Sequence, residues 1–244
     1  MKNVVKMSLA ALAVAAAIPV FAEETASAKK EKEVVYEGAI GWTPVAVGLA
    51  SPVQVPWGRA VWDVFGLDLN LFYSDAPKMY GLGVGGVAMA TRDDLAGVQA
   101  SLLCNWADAD VYGIRATAGA NITFGETYGL EAGIGAYRPS EMWGVDVELL
   151  GAYQHKFNGL QVAGLATVSR DMSYGMNAAL FGNYAATAYG LQLGLIINYT
   201  SELHGCQIGF VNIASECPWG FQIGLVNIIL DNAIKVLPFV NCYF

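Results

Sequence analysis

Charge is scarce in this 244-residue chain: Asp, Glu, Lys and Arg together make up 14 % of it, and only two histidines, His155 and His204, are present. Beyond Lys29, Lys30 and Lys32 no cluster of basic residues occurs. That removes the electrostatic footprint of a nucleic-acid binder, and nucleic acid is not an expected partner. The four cysteines, Cys104, Cys206, Cys217 and Cys242, show no C-x-x-C spacing and have no histidine placed to complete a metal site. In an exported chain a Cys206–Cys217 disulfide is permitted, these two being closest in sequence; the other reading treats all four as small apolar residues. No G-x-S-x-G, H-E-x-x-H or phosphate-cradling loop is present. A nucleophile would have to come from Ser169, Ser173 or Ser201 paired with one of the two turn-associated histidines. We therefore expect no enzyme, no catalytic residue, no metal and no cofactor. After residue 21 no apolar run approaches the ~20 residues that a membrane-spanning helix needs.

Apolar residues nevertheless make up 55 % of the chain, with 28 glycines. Residues 1–22 combine Lys2 and Lys6, an apolar stretch from Met7 to Phe21 and the ending Val20-Phe21-Ala22, which is the pattern of a cleaved secretory signal. Residues 23–34 are charged and read as a flexible leader. One domain is expected over 35–244. Removing Lys2 and Lys6 leaves 11 basic residues against 21 acidic ones, a charge of about −10.

The dominant feature is a repeat. Gly66, Gly81, Gly97, Gly113, Gly129, Gly144, Gly159, Gly175, Gly190, Gly205 and Gly220 recur every 15 or 16 residues, so one supersecondary unit is copied along the chain. Counting offsets from each glycine, offsets one, three and five are apolar or Gly, as in Leu67, Leu69 and Leu71 or Phe221, Ile223 and Leu225. Offset two is polar in all but one copy (Asp68, Gln99, Arg115, Glu131, Asp146, Gln161, Asn177, Gln192, Gln207, Gln222; Gly83 is the exception). This period of two predicts β-strands with one apolar face.

Aromatic residues precede the glycine (Phe65, Tyr80, Tyr112, Tyr128, Trp143, Tyr174, Tyr189, Trp219) and recur at offset nine (Trp106, Tyr153, Tyr184, Tyr199). Read as one long strand, the two rows stand roughly 25 Å apart after a tilt of about 40°, the height of the apolar band of an outer-membrane barrel with an aromatic girdle at each rim. The same rings could instead cap the core of a soluble β-array. Short polar stretches such as Thr91-Arg92-Asp93-Asp94 and Ser169-Arg170-Asp171 separate the units and suit hairpins better than crossover helices.

Units nine to eleven read Gly190-Leu-Gln-Leu-Gly-Leu-Ile-Ile-Asn198, Gly205-Cys-Gln-Ile-Gly-Phe-Val-Asn212 and Gly220-Phe-Gln-Ile-Gly-Leu-Val-Asn227. This wording resembles the bacterial surface-repeat family of the leptospiral type, which strings together G-[VL]-Q-[IL]-G-L-[VI]-N units behind a signal peptide. The resemblance implies an envelope location and supplies no catalytic residue.

The leading expectation is an all-β, antiparallel up-and-down transmembrane β-barrel of about 12 to 14 strands, in the outer membrane or at the cell surface. Asp68, Gln99, Arg115, Glu131, Asp146, Glu148, Gln161, Asn177, Gln192, Gln207 and Gln222 would face the lumen and the aromatic rows would meet outer-membrane lipid. Its role would be structural, or that of a passive pore for small or amphipathic solutes; the apolar residues at offset six add a small amphipathic ligand as a candidate partner, unless a bulge turns them outward. The alternative is an exported β-solenoid for adhesion or display, with odd offsets filling its core. Stacking would then line up Gln192, Gln207 and Gln222 favourably but set Glu131 beside Asp146. Oligomeric state is not specified by the sequence.

Overall fold

The computed structural model describes residues 39–51, 53–57 and 61–243; the expected signal peptide (1–22) and leader (23–34) lie outside the described residues. Strand accounts for 81 % of the structure and no helix is present among the described residues, so the all-β expectation holds. The strands do not form a barrel. They wind as a β-solenoid of about 10 turns, the architecture expected only as the alternative.

Two compact units divide at Ser140 and Glu141. The first contains β1 (Gly41–Ala50), β2 (Val53–Val55), β3 (Trp62–Ala76), β4 (Met79–Gly85), β5 (Ala88–Thr91), β6 (Leu95–Ser101), β7 (Cys104–Ala107), β8 (Val111–Thr117), β9 (Ala120–Thr123) and the start of β10 (Thr127–Ala163). Successive coils pair in parallel along two sheets, β3-β4-β6-β8-β10 on one side and the end of β3 with β5, β7, β9 and β10 on the other. In the second unit the remainder of β10 is followed by β11 (Ala166–Ala179), β12 (Gly182–Gly194), β13 (Ile197–Ile208) and β14 (Val211–Ile229), again all parallel. The last strand, β15 (Val236–Cys242), closes this unit by pairing antiparallel to β14. At the other end of the chain β2 pairs antiparallel to β1. Both short strands cover an edge that would otherwise offer unpaired backbone groups.

The antiparallel expectation failed for a definable reason. Parallel strands need a return path of a dozen or so residues, and the inter-unit turns are too short to provide one. The return path is the second half of the repeat itself: each 15- or 16-residue repeat makes one coil with two corners, built as two short strands from β4 to β9 and as strands bent at the polar corner from β11 to β13. Glycine then stacks on glycine, as in Gly81 on Gly66 and Gly205 on Gly190. At Gly205 φ is +149° and an added Cβ would lie 2.0 Å from the carbonyl oxygen of Gly190. Only a residue without a side chain takes that conformation at that spacing, which is why the glycine marks the repeat so faithfully.

The facing of the side chains also differs from the solenoid alternative. Odd offsets were expected to fill its core; instead the even offsets do. Gln207 and Gln222 are fully buried whereas Leu195 and Leu225 at offset five are each 56 % exposed. Small or medium apolar residues complete the interior, such as Met79, Leu95 and Val111 in the first unit and Ala188, Leu203 and Ala214 in the second.

Candidate functional surface

All eleven residues assigned to a lumen are buried: Asp68, Gln99, Arg115, Glu131, Asp146, Glu148, Gln161, Asn177, Gln192, Gln207 and Gln222. Each faces the filled interior of its own unit and not a lumen. In the second unit they form hydrogen-bonded ladders. Gln222 Nε2 donates to Gln207 Oε1 and Gln207 Nε2 to Gln192 Oε1, both at 2.8 Å. Beside them a second ladder runs Asn183→Asn198→Asn212→Asn227, each step also 2.8 Å. The asparagine ladder donates toward the C-terminus and the glutamine ladder toward the N-terminus. A primary amide carries both donor and acceptor, so identical amides stacked in register satisfy one another. Asn177 donates to Ser173, and Gln161 donates to Asp146 Oδ2 at 2.7 Å. The asparagine row was not singled out from sequence, although Asn198, Asn212 and Asn227 close the three most regular units. Counted as one strand they fall at mixed parity; the corner before them restores the inward direction.

In the first unit, charge replaces amide. Glu131 receives Arg115 Nε at 2.7 Å on one oxygen and Arg138 Nε at 2.8 Å on the other, with all three side chains buried. Arg115 also donates to Thr123 Oγ1 at 2.5 Å. Burial alone would raise the Glu131 carboxyl; the two guanidinium groups outweigh it and hold the pKa below its ordinary value. Asp68 is shifted the other way. Burial raises its pKa, only partly countered by hydrogen bonds from Ser74 and from Asn70 Nδ2 at 2.6 Å.

The aromatic residues do not form two rims on one strand. Those before the glycine and those at offset nine lie on successive strands, and each row stacks upon itself from coil to coil. Phe65 lies on Tyr80 at 4.9 Å, Tyr112 on Tyr128 at 5.1 Å, and Tyr174, Tyr189 and His204 follow at 4.5 Å each. At offset nine Tyr184 stacks on Tyr199 at 5.6 Å, while Trp106 tilts against Phe124. Tyr153 is half-buried; Trp143 and Trp219 are exposed. The two rows flank the polar turn: Trp106 and Tyr112 bracket Asp108–Asp110, and Tyr199 and His204 bracket Ser201–Glu202. Their polar atoms point toward it. Trp106 Nε1 donates to Asp108 Oδ1 at 2.7 Å, Tyr128 OH to Glu126 Oε2 at 2.5 Å, and His204 Nε2 lies 2.8 Å from Glu202 Oε1. The bond to Glu126, with burial and nearby negative charge, pushes the Tyr128 hydroxyl up to about 12.

Opposite that turn, the apolar residues at offsets five and six stand side by side at a corner and both point outward. Leu102 and Leu103 do so in the first unit; Leu149 and Leu150, Leu180 and Phe181, and Leu195 and Ile196 do so in the second. This explains why offset six disturbed the inside–outside alternation: a corner, not a bulge, turns it out. At offsets one, three, five and six no unit carries a charged side chain or an oxygen- or nitrogen-bearing one. Each unit thus has an apolar edge, an aromatic band on either flank, and a polar ridge rich in acidic residues. On the apolar side of the second unit, Ile208, Phe210, Ile223, Leu225 and Val240 line an open groove of about 430 Å³.

All four cysteines are free thiols, so the Cys206–Cys217 disulfide is not formed. Ser169 and Ser173 are buried and accept hydrogen bonds from Gln154 and Asn177; neither is hydrogen-bonded to a histidine. Taken by itself, neither unit gathers three His, Cys, Asp or Glu side chains in metal-binding geometry among the described residues. No protein-family model matches the chain, and neither a curated protein nor a solved structure does.

Proposed function

We propose that the chain is an exported β-solenoid of the bacterial envelope, acting in adhesion or display at the outer membrane or cell surface. The observation that carries this is the sorting of its exterior. Each unit has a filled polar interior and presents an apolar edge on one side and an acidic ridge on the other. Water alone favours no such edge, because monomeric soluble proteins rarely leave contiguous apolar patches beyond a few hundred Å². The signal-like residues 1–22 and the likeness of the last three units to leptospiral surface repeats support export. The ridge, with Asp108, Asp110 and Glu126 at its crest in the first unit, is the side left for display.

Protease shaving of intact cells combined with fractionation tests this reading. The mature chain, without residues 1–22, should accumulate in the envelope fraction and be cut from outside. Recovery in the cytosol, with the first 22 residues still attached, overturns it.

A further inference from the structure

Resting on that reading, we propose that the apolar edge is buried in the hydrocarbon of a single leaflet of a lipid membrane. Each unit lies with its own coil axis in the membrane plane and its own acidic ridge in water. The protein would dip into the bilayer without crossing it.

Three observations select lipid over a protein partner. First, the edge carries aliphatic side chains and Phe at its centre, and Tyr and Trp only at its margins. In the second unit Leu149, Leu180, Leu195 and Leu225 lead, and Tyr174, Tyr189, Tyr184 and Tyr199 flank them. Protein interfaces concentrate Trp and Tyr at the buried centre instead, whereas membrane proteins hold them at the headgroup level. Second, the rings are oriented as that level demands: Trp106, Tyr128 and His204 turn their polar atoms to ridge carboxylates and leave their ring bodies toward the edge. Third, the depth fits. Five residues separate the glycine from offset five, roughly 16 Å at ~3.3 Å per residue, about half of a ~30 Å hydrocarbon core.

The ridge predicts headgroup preference. With acidic residues just above the interface, uncharged or zwitterionic headgroups are favoured and anionic ones repelled, the repulsion fading as salt shortens the Debye length.

The test is flotation of the purified mature chain with phosphatidylcholine vesicles. Co-flotation is expected, weakened by added phosphatidylglycerol at low salt and restored by high salt. In the unmodified protein, lipids brominated near the headgroup should quench tryptophan fluorescence more than lipids brominated at the chain ends. Leu180→Glu and Leu195→Glu, both at strongly exposed positions, should each lower vesicle partitioning by about tenfold or more, since charge is costly in hydrocarbon; Arg170→Gln on the ridge should leave it unchanged. Deepest quenching from chain-end bromines overturns the single-leaflet geometry. A chain that remains with the aqueous phase overturns the proposal, whether as a monomer or as a dimer that Leu180→Glu dissociates. A chain found in the cytosol that still floats with vesicles overturns only the envelope reading.

Discussion

The interiors of the two units solve the same stacking problem with different chemistry. From Glu141 onward the inward positions are mostly amides, which complement their own copies one coil away. Before Ser140 the equivalent column holds Asp68, Gly83, Gln99, Arg115 and Glu131; the charges of Arg115 and Glu131 are matched by partners of the opposite sign, and Asp68 is held by Ser74 and Asn70. In-register stacking therefore tolerates a varied column only where neighbours are chosen together, whereas an amide column can be copied indefinitely. This accounts for the regularity of units nine to eleven and the looseness of those before them.

The sharpest way to break the contrast is at its most charged point. Glu131→Ala strands Arg115 and Arg138 without their carboxylate in a site closed to solvent, and destabilisation of about 3–5 kcal/mol is expected in urea unfolding. Replacing Arg115, Glu131 and Arg138 together with Met, Leu and Met should recover most of that loss, because a well-packed apolar trio carries no desolvation penalty. If the single and triple variants were equally unstable, the charges would matter for shape and not for balance.

Where the units should not differ is at the glycine. Gly97→Ala and Gly205→Ala each place a Cβ 2.0 Å from a backbone oxygen of the previous coil at strongly positive φ. Similar losses of about 2–4 kcal/mol are expected for both. A large effect in one unit alone would show that the coils are not equivalent.

Breaking an amide ladder should cost less. Asn198→Leu removes the acceptor of Asn183 and the donor to Asn212 and to the Ile208 carbonyl, for about 2–3 kcal/mol. Asn198→Gln, which keeps the chemistry but misplaces it, should fall between this variant and the native chain. Equal stability of all three would mean that the ladder is incidental to the fold.

Much of this was legible in the sequence. The period, the glycine register, the inward direction of Gln192, Gln207 and Gln222 and the favourable amide ladder are all present in the residues. Strand direction was not, because a 15- or 16-residue unit accommodates either one long strand with a hairpin or two short strands with two corners. The pair Leu195-Ile196 held the answer: two adjacent outward apolar residues break the alternation that a single strand would keep. Offset nine misled for the same reason, since Tyr184 and Tyr199 share parity with the residues before the glycine while lying on another strand. The compensation of Glu131 was hidden as well. Arg138 sits in what reads as a turn, and only the coil geometry carries it inward beside Arg115.

Acid separates the two kinds of buried carboxyl. The folded pKa of Glu131 lies below its ordinary 4.5, so the native state binds fewer protons than the unfolded chain, and its contribution is present above that value and lost as pH falls through the folded pKa. Asp68 has the opposite sign. Its folded pKa lies above the ordinary 3.8, so the native state holds its proton longer, and stability declines as pH rises from 3.8 through the folded value. Asp68→Asn removes that liability and keeps a polar group in the column beside Asn70 and Ser74, although the carboxylate hydrogen bonds are exchanged for amide ones. The expected result is a small gain at neutral pH, up to about 1 kcal/mol, within the range of conservative substitutions. The gain should vanish below pH 4, read from urea midpoints across that range. A loss at neutral pH would mean that Ser74 and Asn70 bind the carboxylate strongly enough to repay its burial, and the first unit would then owe its stability to charge in the same way at both ends of its column.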